Sequence, residues 1–312
     1  MNALINVAIP VFGIVLTGYL AGKLRILGDA SATAVNAFVY YFALPALLFL
    51  FTAQASLDEI VNIPFIAVFL FGTLTTIAVA ALGAHLLFRL DAKSTVVHAM
   101  TAGFSNTAYM GIPIFLTAFG RAGTLPAIIA TIAANTLVIG AGIAALELLG
   151  KGAVQRQSRI TRTLRSLAAN PLLISPLLGL CVAAAGFAIP TPVANYLDLL
   201  GGAAGPSALF ALGLALSAQA LRIAWGEVAW LTLLKLVVQP LVTLALILYV
   251  FPLPEAWFEG ALILSALPTG ALIFVVAQQY NAYVQTSSAA IVVSTAVSVA
   301  TVSLILIGLG IN

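Results

Sequence analysis

Apolar residues occur along this chain in runs of about 20, separated by short polar or basic stretches, without the alternation typical of strands. A run of about 20 apolar residues forms a helix long enough to cross the ~30 Å hydrocarbon core of a bilayer. The pattern therefore predicts ten membrane-spanning helices, with no room for a sizeable soluble domain. We place these spans at residues 3–22, 33–53, 64–88, 95–120, 123–149, 170–189, 198–221, 228–250, 257–280 and 285–310.

Helix-breaking residues interrupt two of these runs near their middles. The fourth run contains Gly103–Pro113 (GFSNTAYMGIP), and the ninth contains Ser265–Gly270 (SALPTG). Proline removes a backbone donor and glycine lowers helix propensity, so each segment disturbs the helical hydrogen-bond ladder. Inside a bilayer, the freed backbone groups are tolerated only where protein or a water-filled cavity meets them. Matched interruptions in two halves of a membrane protein indicate the binding site of a transporter.

Composition and internal symmetry support the same architecture. Hydrophobic residues make up 62% of the chain and charged residues 7%, against about 25% charged residues in soluble domains. A five-plus-five division inverts the second half (169–312) relative to the first (1–150), with 151–168 as the linker. Pro45–Phe49 in span two also resembles Pro206–Phe210 in span seven. The predicted fold is an all-α integral membrane protein with two inverted five-helix repeats and broken, crossing helices four and nine.

Basic residues predict the orientation of the chain, because they accumulate on the cytoplasmic side of membrane proteins. Ten of them follow odd-numbered spans: Lys23, Arg25, Arg89, Lys93, Lys151, Arg156, Arg159, Arg162, Arg165 and Arg222. Arg121 alone lies on the other side, so both termini are expected outside and the linker 151–168 in the cytoplasm. We interpret the basic linker as a topology determinant, with contact to anionic membrane lipid as the alternative. The net charge of +3 gives no reason to expect a nucleic-acid partner.

The interrupted segments have features that favour the binding of an anion. Half-helices beginning near Pro113 and Gly270 would present unpaired N–H groups and a partial positive charge, which attract a carboxylate. The candidate binding residues at these segments are Asn106, Gly111, Ile112, Pro113, Pro268, Thr269 and Gly270. The alternative is a pair of ordinary proline kinks. For Asn106, spacing alone leaves two interpretations open, namely donation to the carboxylate or unwound backbone, and an ordinary hydrogen bond between helices.

Lys235 is the clearest intramembrane charge, and Gln239-Pro240 follows it one turn later. Three interpretations compete: a counter-charge for an anionic substrate, a strut for the broken helices, and a side chain that snorkels to the surface. We favour the first two. No Asp or Glu is predicted at mid-depth, so the usual carboxylate-based proton relay is missing. His98 could titrate in the physiological range. Because it lies close to Lys93 in sequence, we interpret it as a residue at the membrane interface.

Enzyme chemistry has no signature in this chain. Nucleotide-binding loops, metal-ligand clusters and nucleophile–base arrangements are absent from the sequence, so neither an enzymatic activity nor a cofactor is predicted. A transporter of a small organic anion remains the main interpretation. A passive organic-anion channel or uniporter and a non-transporting membrane sensor are the alternatives from other classes.

The interrupted segments resemble those of the auxin efflux carrier family, which includes bacterial malonate and malate carriers. The matching pieces are Ser105–Thr107, Met110–Pro113, Ala266–Gly270, Gln279–Asn281, Phe42–Leu47, Asn170-Pro171, Ala204-Gly205, Leu212–Leu214 and Lys235 ahead of Pro240. This resemblance implies a scaffold of spans one, two, six and seven, a moving domain of spans three to five and eight to ten, and a homodimer. It also implies direct contact between Asn106 and a substrate carboxylate.

Taken together, these features predict a secondary transporter of a small carboxylate in the bacterial inner membrane, working by alternating access of the elevator or rocking type. Leu44, Pro45 and Ile112 are expected to form the apolar side of the pocket, and Lys235 with Gln239 to support it. The bile-acid/sodium symporter fold is similar in architecture. Its acidic sodium ligands are not evident here, so a sodium-coupled symporter is a further alternative.

Overall fold

The computed structural model describes residues 7–55, 60, 62–149, 170–218 and 224–311, and within these ranges the chain is helical and has no β-strand. The predicted linker 151–168 and Arg222 lie outside the described residues. In chain order the helices are α1 (Ile9–Lys23), α2 (Ala30–Gln54), α3 (Ile63–Leu86), α4 (Ala92–Gly103), α5 (Thr107–Phe119), α6 (Leu125–Leu148), α7 (Pro171–Ala184), α8 (Thr191–Ser217), α9 (Trp225–Tyr249), α10 (Glu255–Ser265), α11 (Leu272–Tyr280) and α12 (Val284–Gly308).

Six of these helices are long and apolar enough to cross a membrane, namely α2, α3, α6, α8, α9 and α12. Helices α1, α5 and α7 are shorter and also apolar. Large apolar side chains cover the outer surface, as Leu199 (82% exposed) and Leu304 (67% exposed) illustrate. An apolar exterior suits hydrocarbon rather than water, so the fold is that of a multi-pass membrane protein.

Small residues let several helices approach one another closely. A Cβ atom on Gly18 of α1 would lie 2.2 Å from the carbonyl oxygen of Phe210 on α8, and one on Gly213 would lie 2.0 Å from that of Val15. A Cβ atom on Gly179 of α7 would lie 2.1 Å from Thr52 Oγ1 on α2. Close contacts between small residues drive helix association in membranes, because the hydrophobic effect does not bring helices together within lipid. The glycine contacts therefore allow α1 to pack closely against α8, and α2 against α7.

Several helices continue through proline by widening one turn. Turns with i→i−5 hydrogen bonds lie at Val39–Ala43, Thr107–Gly111 and Leu234–Val238. Pro45, Pro113 and Pro240 follow as the second residues of the next α-helical stretches. Because proline lacks an N–H and clashes with the preceding turn, a wider turn accommodates it without ending the helix. Proline by itself therefore does not mark an interruption in this protein.

The N-terminus of α4 is capped by the side chain of Asp91, which accepts hydrogen bonds from the N–H groups of Lys93 (3.0 Å) and Ser94 (3.2 Å). The hydroxyl of Ser94 also donates to this carboxylate at 2.6 Å. These bonds, led by that of the Ser94 hydroxyl, hold the pKa of Asp91 below its usual range. The cap fixes the start of the helix that leads to the first interruption.

Candidate functional site

Both segments singled out from the sequence interrupt their helices, and the two interruptions pair with each other. Residues 104–106 separate α4 from α5, and residues 266–271 separate α10 from α11. Ser105 and Thr269 form an antiparallel bridge. The N–H of Asn106 donates to the carbonyl of Pro268 at 2.9 Å, and the N–H of Gly270 donates to that of Phe104 at 2.9 Å. Backbone groups freed by each interruption thus find their partners in the other, as a bilayer requires.

The close approach of the interruptions depends on glycine. A Cβ atom on Gly270 would lie 2.5 Å from the ring of Phe104, and one on Gly111 would lie 2.9 Å from Leu267 Cδ1. Real Cβ atoms do not approach other heavy atoms this closely, so a larger residue would push the two segments apart. The clash at Gly270 is the more severe of the two, because Leu267 Cδ1 opposite Gly111 is the flexible end of a side chain that can shift.

Side chains from neighbouring helices hold the second interruption in place. The hydroxyl of Thr269 donates to the carbonyl of Thr101 at 2.9 Å, and its N–H donates to Ser294 Oγ on α12 at 3.2 Å. Thr101, Thr269 and Ser294 are all buried. Each of these polar groups is satisfied, so the segment is tied to α4 and α12.

Lys235 supports the same segment from α9. Its side chain is completely buried, and Nζ donates to Gln239 Oε1 at 2.7 Å and to the carbonyl of Ser265 at 2.8 Å. Gln239 in turn donates to Thr73 Oγ1 at 3.2 Å. Ser265 is the last residue of α10, and a cation is favourable at the C-terminal end of a helix. This geometry corresponds to the strut interpretation, and the full burial of Lys235 is incompatible with snorkelling.

The first interruption, in contrast, contains buried polar atoms without partners. Ser105 and Asn106 are 1% and 3% exposed, and neither Ser105 Oγ nor Asn106 Nδ2 has a hydrogen-bond partner among the described residues. The N–H groups of Ala108 and Tyr109 lie in the first turn of α5, where the helix itself provides no acceptor. A buried polar group without a partner costs about 1–3 kcal/mol. This arrangement suits a ligand that accepts hydrogen bonds.

The expected helix start near Pro113 needs a correction. Helical turns begin at Thr107, and Pro113 lies one wide turn later as the second residue of Ile112–Phe119. The N–H groups of the first helical turn therefore follow Asn106 directly, and they do not lie at Pro113. On the other side, α11 begins at Leu272, close to the expected Gly270.

The remaining predicted residues form the apolar surroundings. Leu44 and Ile112 belong to one buried apolar cluster. Pro45 lies in α2, immediately after the wide turn Val39–Ala43. Gly205 of α8 faces Pro113, with a Cβ position 3.7 Å from that of the proline. A cavity of about 170 Å³ lies elsewhere, lined mainly by Phe115, Phe119, Pro126 and Trp257, and contains none of the predicted site residues.

Three side chains are connected by hydrogen bonds that the sequence did not predict. His98, expected at the interface, is completely buried, and its Nδ1 lies 2.9 Å from Tyr283 Oη. The hydroxyl of Tyr283 donates to the carboxylate of Glu227. These residues come from three elements distant in sequence, and nothing in the local pattern connects them.

Comparisons with known proteins agree with a transporter. The chain is 29% identical over 311 residues to a protein of Rhizobium meliloti (strain 1021) described as "Putative malonate transporter", covering 97% of this chain and 95% of the relative. It is 26% identical over 298 residues to "Uncharacterized transporter YfdV" of Escherichia coli (strain K12), covering 92% and 91%. It is also 26% identical over 312 residues to "Uncharacterized transporter MJ1031" of Methanocaldococcus jannaschii, covering 96% of each chain.

A family assignment follows from a match over nearly the whole chain. The sequence model of the family described as "Membrane transport protein" matches residues 3–306. The match includes both interrupted segments and every described helix except the last two residues of α12. This chain therefore belongs to the membrane transport protein family, which is the auxin efflux carrier family that its sequence resembles.

Proposed function

We propose that this protein is a secondary transporter that carries a small organic anion across the bacterial inner membrane by alternating access. The substrate carboxylate binds where the two interrupted helices cross. The observation that carries this proposal is the first interruption, where two buried polar groups, Ser105 Oγ and Asn106 Nδ2, lack partners among the residues that the structure describes. Membership of a family of transport proteins supports the general function.

The helices are compatible with ten spans in two inverted repeats. Helices α4 and α5 would share the fourth span, and α10 and α11 the ninth, while each other helix would be one span. In this arrangement α1, α2, α7 and α8 form the scaffold, which also makes the homodimer, and the other helices form the moving domain. Tight packing of α1 on α8 and of α2 on α7 supports a rigid scaffold. Both termini would lie outside.

Carboxylate recognition follows from the donors at the first interruption. Asn106 Nδ2, Ser105 Oγ and the N–H groups at the start of α5 can all donate to carboxylate oxygens, which only accept. The N-terminus of α5 adds a partial positive charge that favours an anion. Bonds from uncharged donors to a charged acceptor are stronger than neutral ones. Leu44, Pro45 and Ile112 would contact the apolar part of the substrate.

Lys235 contributes indirectly in this proposal. Its ammonium group already donates to Gln239 and Ser265, so it positions the second interruption, including Pro268, Thr269 and Gly270. The site then recognises its anion with helix dipoles and neutral donors. The relative described as a malonate transporter supports a carboxylate as the substrate class.

The test is uptake into proteoliposomes of labelled mono- and dicarboxylates, malonate among them, under separately imposed proton, sodium and voltage gradients. We expect saturable uptake and counterflow of at least one carboxylate, and counterflow distinguishes a carrier from a channel. Asn106→Ala should abolish uptake. Asn135→Ala is the matched control, because Asn135 is equally buried (2% exposed) but lies within the continuous helix α6. Wild-type uptake by Asn106→Ala would overturn the site.

A further inference from the structure

His98, Tyr283 and Glu227 form a chain of hydrogen bonds from a partly exposed carboxylate to a completely buried imidazole. His98 lies in α4, Tyr283 immediately precedes α12, and Glu227 lies in the first turn of α9. These three hydrogen-bonded residues lie at the end of the molecule that carries Arg89 and Lys93, which is the predicted cytoplasmic end. They therefore connect the helix that leads to Asn106 with the helix that carries Lys235.

The directions of the hydrogen bonds assign the tautomer of His98. An ionised carboxylate only accepts hydrogen bonds, and a tyrosine hydroxyl has one proton to donate. Because Tyr283 donates to Glu227, its oxygen must accept from His98 Nδ1, which therefore carries the imidazole proton. Nε2 is left as a bare lone pair. It is buried and has no partner among the described residues.

The backbone at Tyr283 shows that this arrangement is held against a conformational cost. Its φ of 57° and ψ of 25° are in the left-handed region, which a bulky side chain rarely occupies. Asn281, two residues earlier, is also left-handed, with φ 48°. Strained residues persist only where the surroundings fix them, and they accumulate at functional positions. Here the residue in the left-handed region carries the hydroxyl that lies between His98 and Glu227.

Other ionisable groups lie on the elements packed around α4. They are His85 and Arg89 at the end of α3, Asp91 and Lys93 at the start of α4, Glu147 on α6, and Glu227 and Lys235 on α9. Glu147 accepts from Tyr280, and Lys235 donates to Gln239 and Ser265. In the described part of the chain, Glu227 is the group that hydrogen bonds join to His98. The charge of an imidazolium at this position would be balanced by Glu227 through Tyr283.

We propose that His98 Nε2 binds a proton that accompanies the carboxylate substrate, with Tyr283 and Glu227 stabilising the resulting imidazolium. This proposal rests on the transport function proposed above and names its coupling ion. The described conformation holds the proton-free form, because Nε2 is buried and no described residue accepts a hydrogen bond from it. Protonation adds one proton and one positive charge, and both ring nitrogens then donate. Opening of the cytoplasmic end would expose Nε2 and allow the proton to bind or leave.

The proton site can be tested without transport, because the chain contains only two histidines. In the His85→Gln variant, labelled with ¹⁵N-histidine, the remaining imidazole signals belong to His98. We expect the neutral Nδ1–H tautomer at high pH and a change to the doubly protonated form on acidification. Tyr283→Phe should shift the tautomer toward Nε2–H. An Nε2–H tautomer in His85→Gln, or no protonation before unfolding, would overturn the proposal.

Coupling is tested with labelled malonate in proteoliposomes, or with whichever carboxylate of the panel is transported. In the wild type, an inward proton gradient should increase uptake, and His98→Gln should lose this increase while keeping counterflow. His85→Gln is the matched control, because His85 is exposed and should retain the response. If His98→Gln fails to insert, Tyr283→Phe takes its place. A retained proton response in both variants would refute coupling, whereas absence of counterflow in the wild type would refute the transport function instead.

Discussion

The two interruptions are paired by the same backbone bridge, yet their polar groups are used in opposite ways. At the second interruption, Thr269 is bonded to Thr101 and Ser294, and Lys235 binds the carbonyl of Ser265. At the first, Ser105 Oγ and Asn106 Nδ2 have no partner in the described part of the chain. The polar groups of the second interruption are satisfied within the protein, whereas two at the first are not. We propose on this basis that the second interruption is a fixed support and that the first binds the ligand.

The largest effect is expected from removing the support at Lys235. Lys235→Ala leaves a cavity and two unpaired acceptors, so we expect about 3 kcal/mol of destabilisation and loss of uptake. Lys235→Met restores the packing of the stem but not the hydrogen bonds. It should recover part of the thermal stability in detergent without recovering uptake. Wild-type uptake by Lys235→Met would show that the second interruption needs no cation.

A smaller effect is expected from separating the two interruptions. In Gly270→Ala the new methyl group meets the ring of Phe104 at 2.5 Å, and overpacking of this kind costs about 1–3 kcal/mol. Uptake should fall together with the unfolding temperature. Gly202→Ala is the matched control, since a Cβ atom there meets nothing within 4 Å. Equal behaviour of both variants would mean that the close crossing is dispensable.

The next pair separates binding from support directly. Thr269→Val removes a satisfied buried hydrogen bond, so it should lower stability by about 1 kcal/mol and leave substrate affinity nearly unchanged. Asn106→Ala removes an amide whose nitrogen has no partner among the described residues, so it should abolish uptake with little change in stability. Thermal unfolding and uptake kinetics measured on the same preparations give both quantities. Opposite results would reverse the roles of the two interruptions.

The smallest effects are expected from two serines. Ser265 Oγ donates to the carbonyl of Leu262 at 2.7 Å, so Ser265→Ala should cost about 0.5–1.5 kcal/mol. Ser105 Oγ has no partner in the part of the chain that the structure describes, so Ser105→Ala should leave the unfolding temperature unchanged and raise the KM for the carboxylate. An unchanged KM would remove Ser105 from the binding site.

Local pattern predicted the features that depend on neighbours in sequence. Apolar runs indicated the helices, and glycine and proline indicated the interrupted segments, because both act on the backbone of their own turn. The pattern was wrong about the helix start near Pro113. A wide turn accommodates this proline, and the helix begins directly after Asn106. Sequence alone does not distinguish a proline that ends a helix from one that a wider turn absorbs.

Features that depend on distant partners could not be predicted in the same way. Lys235 was recognised as an intramembrane charge, but its partner Ser265 lies on another helix and depends on how α9 packs against α10. His98 was expected near the interface because of Lys93, and the contact with Tyr283 buries it instead. The assignment of Asn106, Pro113 and Gly270 to a substrate site stays a prediction.

The bridge between the interruptions also has a consequence for how the protein is made. Ribosomes deliver the first half of the chain before the second, so Phe104 and Asn106 reach the membrane long before Pro268 and Gly270 exist. Until then the carbonyl of Phe104 and the N–H of Asn106 lack their partners, which hydrocarbon does not tolerate. The newly inserted first half must keep this segment in contact with water, the insertion machinery or another helix. Neither half, expressed alone, could complete its own interrupted helix.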